Sequence, residues 1–449
     1  MKKTIYLSFT LSLLCFFNTQ AQTNYLWGST ASGGAYGFGT IVRGNPDGTG
    51  FQTVYSFDSV KGATPSGSMA QANNGKIYIV CQLGGDQGSC TVCKLDPTTN
   101  EVTKIYDFAT VPDSGDIPYA GIVKAANGKL YGIASYGGHR GNGTIYMIDP
   151  ATDAYYDVHD FDSTDASSRI DLLAASDGKL YGVSGIPYQN PNGKGSFFSF
   201  DPATNTYTKI STFAPTFGSY YHQSLIQASD GKIYGVYSNP YADSTVMFNY
   251  DVNTSTYTDM GLVFVGIMQG GFVDGGNGIL YGVSESGILR YNLNTGLVYF
   301  FAYLDANTGL TPTRNPSIIN GKLMFSTVDG GTYGQGALVS VDTATGAYTI
   351  MLSFDSATTG EYPECLVQEF STTVSSVVAP TASVIDMYPN PAINNIYIEN
   401  AEPGKPYVVT NLVGQELMRG TTTGGTQAIN IAALPKGLYF LNQQKFVKE

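Results

Sequence analysis

The chain offers little histidine chemistry, since His139, His159 and His222 are the only three imidazoles in 449 residues. Carboxylates could take their place: Asp113, Asp116 and Asp171 are candidates for the acid–base pair of a glycosidase, which is defined by a separation in space and leaves no sequence spacing. Each of the three also reads more simply as a turn residue. His139-Arg140 sits in the glycine-rich stretch 137–143 and reads as a solvated pair. No HExxH helix, GxSxG elbow, phosphate loop or EF-hand loop occurs, so the sequence presents no catalytic set and calls for no metal or cofactor. Cys81 and Cys90 flank an expected hairpin loop and form a disulfide candidate, with Cys93 as a competing partner. Cys90-x-x-Cys93 has metal or redox spacing but lacks the second pair that a four-ligand zinc site needs.

A second set emerges by counting back from each Asn-Gly or Asp-Gly dipeptide. Ser66, Tyr119, Arg169, His222 and Gln269 fall at one equivalent position, with Arg314 and Glu364 near it and Tyr221 beside His222. Their neighbours stay small (Gly67, Ala120, Gly121, Gly270, Gly271), as crowding about an axis requires. A mixed ring of Tyr, Arg, His and Glu suits the mouth of a small-ligand or glycan site. The competing reading makes Arg169 and Asp171 an exposed ion pair worth under about 1 kcal/mol. It also makes Tyr221 and His222 packing residues between repeats.

These positions are set by a repeat. Asn74-Gly75-Lys76-Ile77-Tyr78, Asn127-Gly128-Lys129-Leu130-Tyr131-Gly132, Asp177-Gly178-Lys179-Leu180-Tyr181-Gly182 and Asp230-Gly231-Lys232-Ile233-Tyr234-Gly235 recur about every fifty residues, the period of propeller blades. Degenerate copies follow at Asn277-Gly278 and Asn320-Gly321, and Tyr25-Leu26-Trp27-Gly28 supplies a seventh. Each Asn-Gly or Asp-Gly closes a two-residue hairpin between strands a and b. A glycine-rich loop then leads to strand c, an Asp-Pro turn (Asp96, Asp149, Asp201) to strand d. Four antiparallel strands make one blade. The first unit lacks strand a, and Tyr362-Pro363-Glu364 matches the start of one, as in Ile117-Pro118-Tyr119. A seven-bladed, all-β propeller closed by a C-terminal strand is expected, with no exposed sheet edge at the seam.

Lys2-Lys3, the apolar run 4–17 and Thr19-Gln20-Ala21 read as a signal peptide over 1–21, with the propeller over 22–370. A Ser/Thr/Val/Ala linker spans 371–383, and a small β-sandwich is expected over 384–449. No later run approaches a membrane-spanning helix. A net charge of −12 without a Lys/Arg cluster argues against nucleic acid.

The unit Leu-Tyr-Gly, Tyr136-Gly137-Gly138 to Gly143-Thr144, Asp149-Pro150 resembles the GloVer tandem repeat of bacterial surface proteins and, more loosely, the kelch repeat. The resemblance implies a propeller and extracellular display. Met387-Tyr388-Pro389-Asn390-Pro391, Asn411-Leu412-Val413-Gly414-Gln415, Leu434-Pro435-Lys436-Gly437-Leu438-Tyr439 and the terminal Lys445-Phe446-Val447-Lys448 are similar to the type A C-terminal domain of the type IX secretion system. This implies a partnership with that machinery and a secreted or outer-membrane-surface location. The leading expectation is a non-enzymatic propeller that binds a glycan, peptide or protein through its channel face. The alternatives are a polysaccharide hydrolase or lyase and a structural adhesin without a discrete site.

Overall fold

The computed structural model describes residues 24–86, 88–108, 115–162, 171–184, 195–213, 221–222, 225–239, 244–265, 268–305, 309, 311–313, 316–364, 368–371, 387–401, 403–411, 416–441 and 444–449. Among these no helix is long and apolar enough to cross a membrane. The chain divides into two compact units, Met1–Val374 and Ser375–Glu449.

Each residue of the repeated phrase has a physical task. In the copy at 127–132, Asn127 Oδ1 accepts the Lys129 amide at 3.0 Å, and Gly128 takes φ +78°, which closes the hairpin between Ile122–Lys124 and Leu130–Ala134. Asn127 Nδ2 donates to the Tyr131 hydroxyl at 2.9 Å, so the buried phenol is satisfied by its own turn. Tyr181 and Tyr234 instead donate to Asp177 and Asp230 at 2.8 and 2.7 Å. The phrase lysine pairs with the aspartate of the following Asp-Pro turn, Lys76 with Asp96 and Lys129 with Asp149. The two motifs therefore recur together because they touch. The glycine of Leu-Tyr-Gly lies under an aromatic ring of strand c: a Cβ on Gly132 would meet Tyr146, and one on Gly182 would meet Phe198 at 2.3 Å.

Among the described residues of the first unit, seven antiparallel sheets of four or five strands form, beside a two-stranded pair of Tyr136–Gly137 with Gly115–Asp116. The third consists of Ile122–Lys124, Leu130–Ala134, Thr144–Asp149 and Ala154–Asp160, in that spatial order. Strand Leu130–Ala134 is buried at all five residues because neighbouring sheets cover both of its faces. Tyr131 and Ile133 pack toward the fourth sheet, whereas Leu130 and Ala134 pack toward the second. Seven apolar clusters join consecutive sheets in this way, and the last joins the seventh to the first through Leu338, Phe354, Leu26 and Val42. Sheets stacked face to face in a closed cycle are a β-propeller.

The seam lies where the sequence indicates. Asn24–Ser32 pairs with Glu361–Pro363, aligning Thr30 with Pro363, and with Gln368–Ser371, aligning Tyr25 with Phe370. The closing strand runs through Ser371, one residue into the stretch expected to be linker. The Cys81–Cys90 disulfide does not form: Cys81, Cys90 and Cys93 are free buried thiols. Cys81 packs on the first-sheet side of the second sheet and Cys90 on the third-sheet side, so the sheet itself separates them. The same opposition separates Cys90 from Cys93, whose thiol donates to Lys61 O at 2.9 Å.

The second unit consists of two sheets, one of Met387–Tyr388, Asn395–Ala401 and Gly425–Asn430, the other of Glu416–Thr421, Pro406–Thr410, Gly437–Leu441 and Gln444–Lys448. Ile396, Ile398 and Ile429 of one face Val409, Leu441 and Phe446 of the other over a common core. Asn390 fastens the last strand by accepting from Val447 N at 2.9 Å and donating to Lys445 O at 3.2 Å.

Candidate functional site

In an antiparallel sheet ordered a-b-c-d, the start of strand a, the end of strand d, the end of strand b and the start of strand c all lie at one end. Of the residues expected at the mouth there, Arg169 and Arg314 lie outside the described residues, as do the side chains of Tyr221, His222 and Gln269. Ser66 is buried, donates to Tyr119 O of the next sheet at 2.9 Å and accepts from Gln82 Nε2 at 2.7 Å. Tyr119 is half-buried, edge-on to Tyr136 at 6.5 Å. Asp171 accepts from Gly121 N at 2.5 Å, from Ser68 N at 3.1 Å and from the Ser68 hydroxyl. That carboxylate joins three successive sheets and is committed to holding the channel wall. Asp116 accepts from its neighbour Ile117 N at 2.8 Å and from Ser89 Oγ at 3.2 Å, as a turn residue does, and Asp113 is outside the described residues. His159 stacks on Tyr207 of the fourth sheet with centroids 4.3 Å apart, a packing role.

A different arrangement is repeated in the b–c loops. Loops 33–39, 137–143 and 330–336 share a backbone, and the described part of 84–90 shares its start: each is built on a Gly-Gly pair whose second member has φ between +71° and +75° (Gly34, Gly85, Gly138, Gly331), while the last glycine of the three, Gly39, Gly143 and Gly336, is Cys90 in the fourth. A hydrogen bond closes each tip, Gly37, Gly88, Gly141 and Gly334 donating to Gly34, Gly85, Gly138 and Gly331 at 3.1–3.3 Å. The residue after the Gly-Gly pair donates its amide to the side chain ending strand d of the same sheet, 21 residues on. Ala35 reaches Ser56 Oγ at 3.3 Å, Asp86 reaches Asp107 Oδ2 at 3.4 Å, His139 reaches Asp160 Oδ1 at 3.0 Å, and Thr332 reaches Ser353 Oγ at 3.1 Å. The phenylalanine that follows (Phe57, Phe108, Phe161, Phe354) is buried and donates its amide to the last loop carbonyl at 2.9–3.0 Å. These four loops belong to the seventh, first, second and third sheets, which are consecutive in the ring.

Strand a enters beside them under strain. In the Gly-x-x-Pro segments at 62–65, 115–118, 309–312 and 360–363 the residue before proline is left-handed: Thr64 (φ +53°), Ile117 (+47°), Thr311 (+55°) and Tyr362 (+54°). Bulky residues there cost of order 1–3 kcal/mol each and persist only where surrounding contacts fix them. Thr40 Oγ1 donates to Thr359 O at 2.7 Å and Thr91 Oγ1 to Lys61 O at 2.9 Å, tying the start of strand c to the entry of strand a. Aligned on these prolines, the equivalent of Ser66, Tyr119 and Glu364 is Thr313, not Arg314. Thr313 N donates to Ser326 O at 2.8 Å as Glu364 N donates to Ser29 O at 3.1 Å, and Pro312 opposes Thr327 as Pro363 opposes Thr30.

The Gloeobacter/Verrucomicrobia repeat matches residues 16–185 and 113–292, more than half of the chain. The chain belongs to that repeat family. Residues 386–448 match the secretion system C-terminal sorting domain. This Gloeobacter/Verrucomicrobia repeat protein is therefore exported by the type IX machinery and is secreted or attached to the cell surface. No curated protein matches it. Its fold is similar to that of a putative 6-phosphogluconolactonase from Bacteroides fragilis NCTC 9343, at 17% identity and TM-score 0.52, covering 78% of this chain and 99% of that one. A putative 6-phosphogluconolactonase from Bacteroides uniformis ATCC 8492 (14%, TM-score 0.53, 78% and 100%) and a protein from Lactobacillus plantarum (14%, TM-score 0.53, 78% and 99%) are similar in the same way. At these identities the likeness is one of fold.

Sequence reasoning missed the loop staple in this Gloeobacter/Verrucomicrobia repeat. Its signal is the Ser-Phe or Asp-Phe pair ending strand d (Ser56-Phe57, Asp107-Phe108, Asp160-Phe161, Ser353-Phe354), whose regular distance from the Gly-Gly pair was there to be counted.

Proposed function

We propose that the chain is a seven-bladed, non-enzymatic binding propeller, exported by its sorting domain, that recognises an extracellular partner through the arc of four glycine loops. The observation that carries this reading is one rigid loop backbone bearing different tips: Tyr36 and Phe38, Asp86, His139 and Arg140, and Tyr333. Variable side chains on a fixed scaffold are how loop surfaces recognise partners. Ser66 and Asp171 use their polar atoms on neighbouring sheets, which favours the loops over a hydrolytic centre at the channel mouth.

The test screens the full chain on glycan and peptide arrays beside a variant with Tyr36, Phe38, His139, Arg140 and Tyr333 changed to serine. Binding lost in the variant supports the reading. Binding that survives all five changes removes the loops as the recognition surface, and a chain that binds nothing returns the propeller to a structural role.

A further inference from the structure

The tips of the arc differ in chemistry along its length. Toward the third sheet they are polar, with His139 and Arg140; toward the seventh and first they are aromatic. Tyr36 is 64% exposed, Phe38 41%, Tyr333 61% and Tyr362 53%. The last of these is one of the left-handed residues at the entry of strand a.

These rings belong to one continuous surface. Both aromatic loops are anchored to the turn 355–360: Gly34 N donates to Ser356 O at 2.7 Å, and the Ser356 amide donates to Gln335 Oε1 at 2.5 Å. Ser32 Oγ donates to Glu361 Oε1 at 3.2 Å, next to Tyr362, and Phe38 O accepts from Thr64 N at 3.0 Å. The backbone of the two loops is tied down, while Tyr36, Phe38 and Tyr333 each adjoin a glycine with free space beside it: a Cβ on Gly37 or Gly334 would meet no atom within 4 Å. Tyrosine and phenylalanine held in this way give large, flat contact area at small entropy cost.

The surroundings decide which polymer fits. Carboxylates lie on the segments that hold the rings: Glu361 is next to Tyr362, Asp355 is next to the anchoring Ser356, and Asp58 is two residues beyond Ser56, which accepts from Ala35. Nearby Lys61 lies over the Tyr55 ring at 5.8 Å, and Lys104 is held by Asp86 at 2.9 Å and by Asp107. An anionic chain would meet repulsion here without a free cationic cluster to offset it. Flat rings spaced by glycine, on segments that carry hydroxyls and carboxylates, suit sugar faces, which stack by their C–H side and donate from their hydroxyls.

We propose that Tyr36, Phe38, Tyr333 and Tyr362 form a stacking platform for an uncharged polysaccharide. The proposal rests on the loop-face reading above and names its ligand. It is tested by incubating the full chain with insoluble cellulose, chitin, starch and β-1,3-glucan, with alginate and polygalacturonate gels as anionic controls. The chain is retained on at least one neutral polymer in preference to the anionic ones. Tyr36→Ala and Tyr333→Ala each weaken that retention about five- to tenfold. Tyr36→Phe keeps it, and so does a His139→Ala/Arg140→Ala double variant. Melting temperature and Trp27 emission, unchanged in every variant, show that the fold is intact.

Retention unaltered in a Tyr36→Ala/Tyr333→Ala double variant overturns the proposal, as does preferential retention on alginate or polygalacturonate. So does the absence of retention on every neutral polymer. If a peptide or protein is then captured through the loops, only the polysaccharide is wrong. If the five-residue tip variant of the previous section changes no binding of any kind, the loop-face reading falls with it.

Discussion

The carboxylate of Asp171, in the fourth sheet, accepts the amide of Ser68, two sheets away, at 3.1 Å, and spans the intervening sheet by accepting the Gly121 amide as well. Inner strands crowd near the axis, where a Cβ on Gly67 would lie 2.0 Å from Gly121 N, so a single side chain can reach across two sheets only there. Asp171→Ala leaves two amides and a hydroxyl short of their acceptor and should cost about 2–3 kcal/mol. Asp171→Asn, which keeps one acceptor oxygen, should cost less. Urea unfolding followed by circular dichroism checks both, and equal stability of the alanine variant and the wild type would remove the staple.

The lysine–aspartate pairs of the repeat give the propeller an acid limit. Burial pushes the Asp96 carboxyl up, but hydrogen bonds from Lys76 and Thr98 outweigh it and hold the group at about 2, below its ordinary 3.8. The hydrogen bond from Lys129, then that from the Ala151 amide, pulls Asp149 down as well. A carboxyl lowered in the folded state stabilises fully above its unfolded value, and that contribution disappears as pH falls from about 3.8 through about 2. Melting temperature should therefore decline steeply between pH 4 and 2. The slope should be shallower in a Lys76→Met/Lys129→Met variant, and an unchanged slope would assign acid sensitivity to other groups.

The buried thiols should be inert. Burial pushes the Cys81 thiol well up, and burial followed by the nearby charge of Asp116 pushes Cys90 up to about 12. Only the thiolate is nucleophilic. Iodoacetamide at pH 8 should leave Cys81 and Cys90 unmodified in the folded chain and alkylate them after denaturation, as read by peptide mass mapping. Modification of the folded chain would mean that the second sheet opens.

How much of this was legible before the structure varied with the reach of the interaction. The Asn-Gly-Lys-x-Tyr phrase, the Asp-Pro turn and the seam at Tyr362-Pro363 are local patterns that repeat, and repetition turns weak signals into a fold. Asp171 was visible as a turn residue, a candidate acid–base carboxylate or an ion-pair partner of Arg169, but not as a staple, because its partners Gly121 and Ser68 are one and two repeats away and nothing in its neighbourhood announces them. Arg314 was placed only near the mouth position, because the Asn-Gly turn of its repeat is degenerate; Pro312 gives the register there and puts Thr313 at that position. The cysteines misled for a related reason: proximity across a hairpin ignores which face of the sheet each side chain takes. The exposed rings of the loop tips carried no pattern, since a recognition surface differs where the scaffold repeats.

The seam has its own reporter. Trp27, the sole tryptophan, stands where other repeats carry tyrosine and is fully buried between the first and second sheets, with the Arg43 guanidinium 5.5 Å from its ring. Phe370, on the closing strand, packs against that same cluster and pairs with Tyr25. Phe370→Asp sets a charge against an apolar cluster and weakens the pairing that covers strand Asn24–Ser32, so it should lower stability by about 2–3 kcal/mol. Loosening the strand admits water to the indole, and emission should move to longer wavelength before the rest of the propeller unfolds. Blue-shifted emission that persists in Phe370→Asp up to the main transition would mean that Glu361–Pro363 alone keeps the first sheet closed.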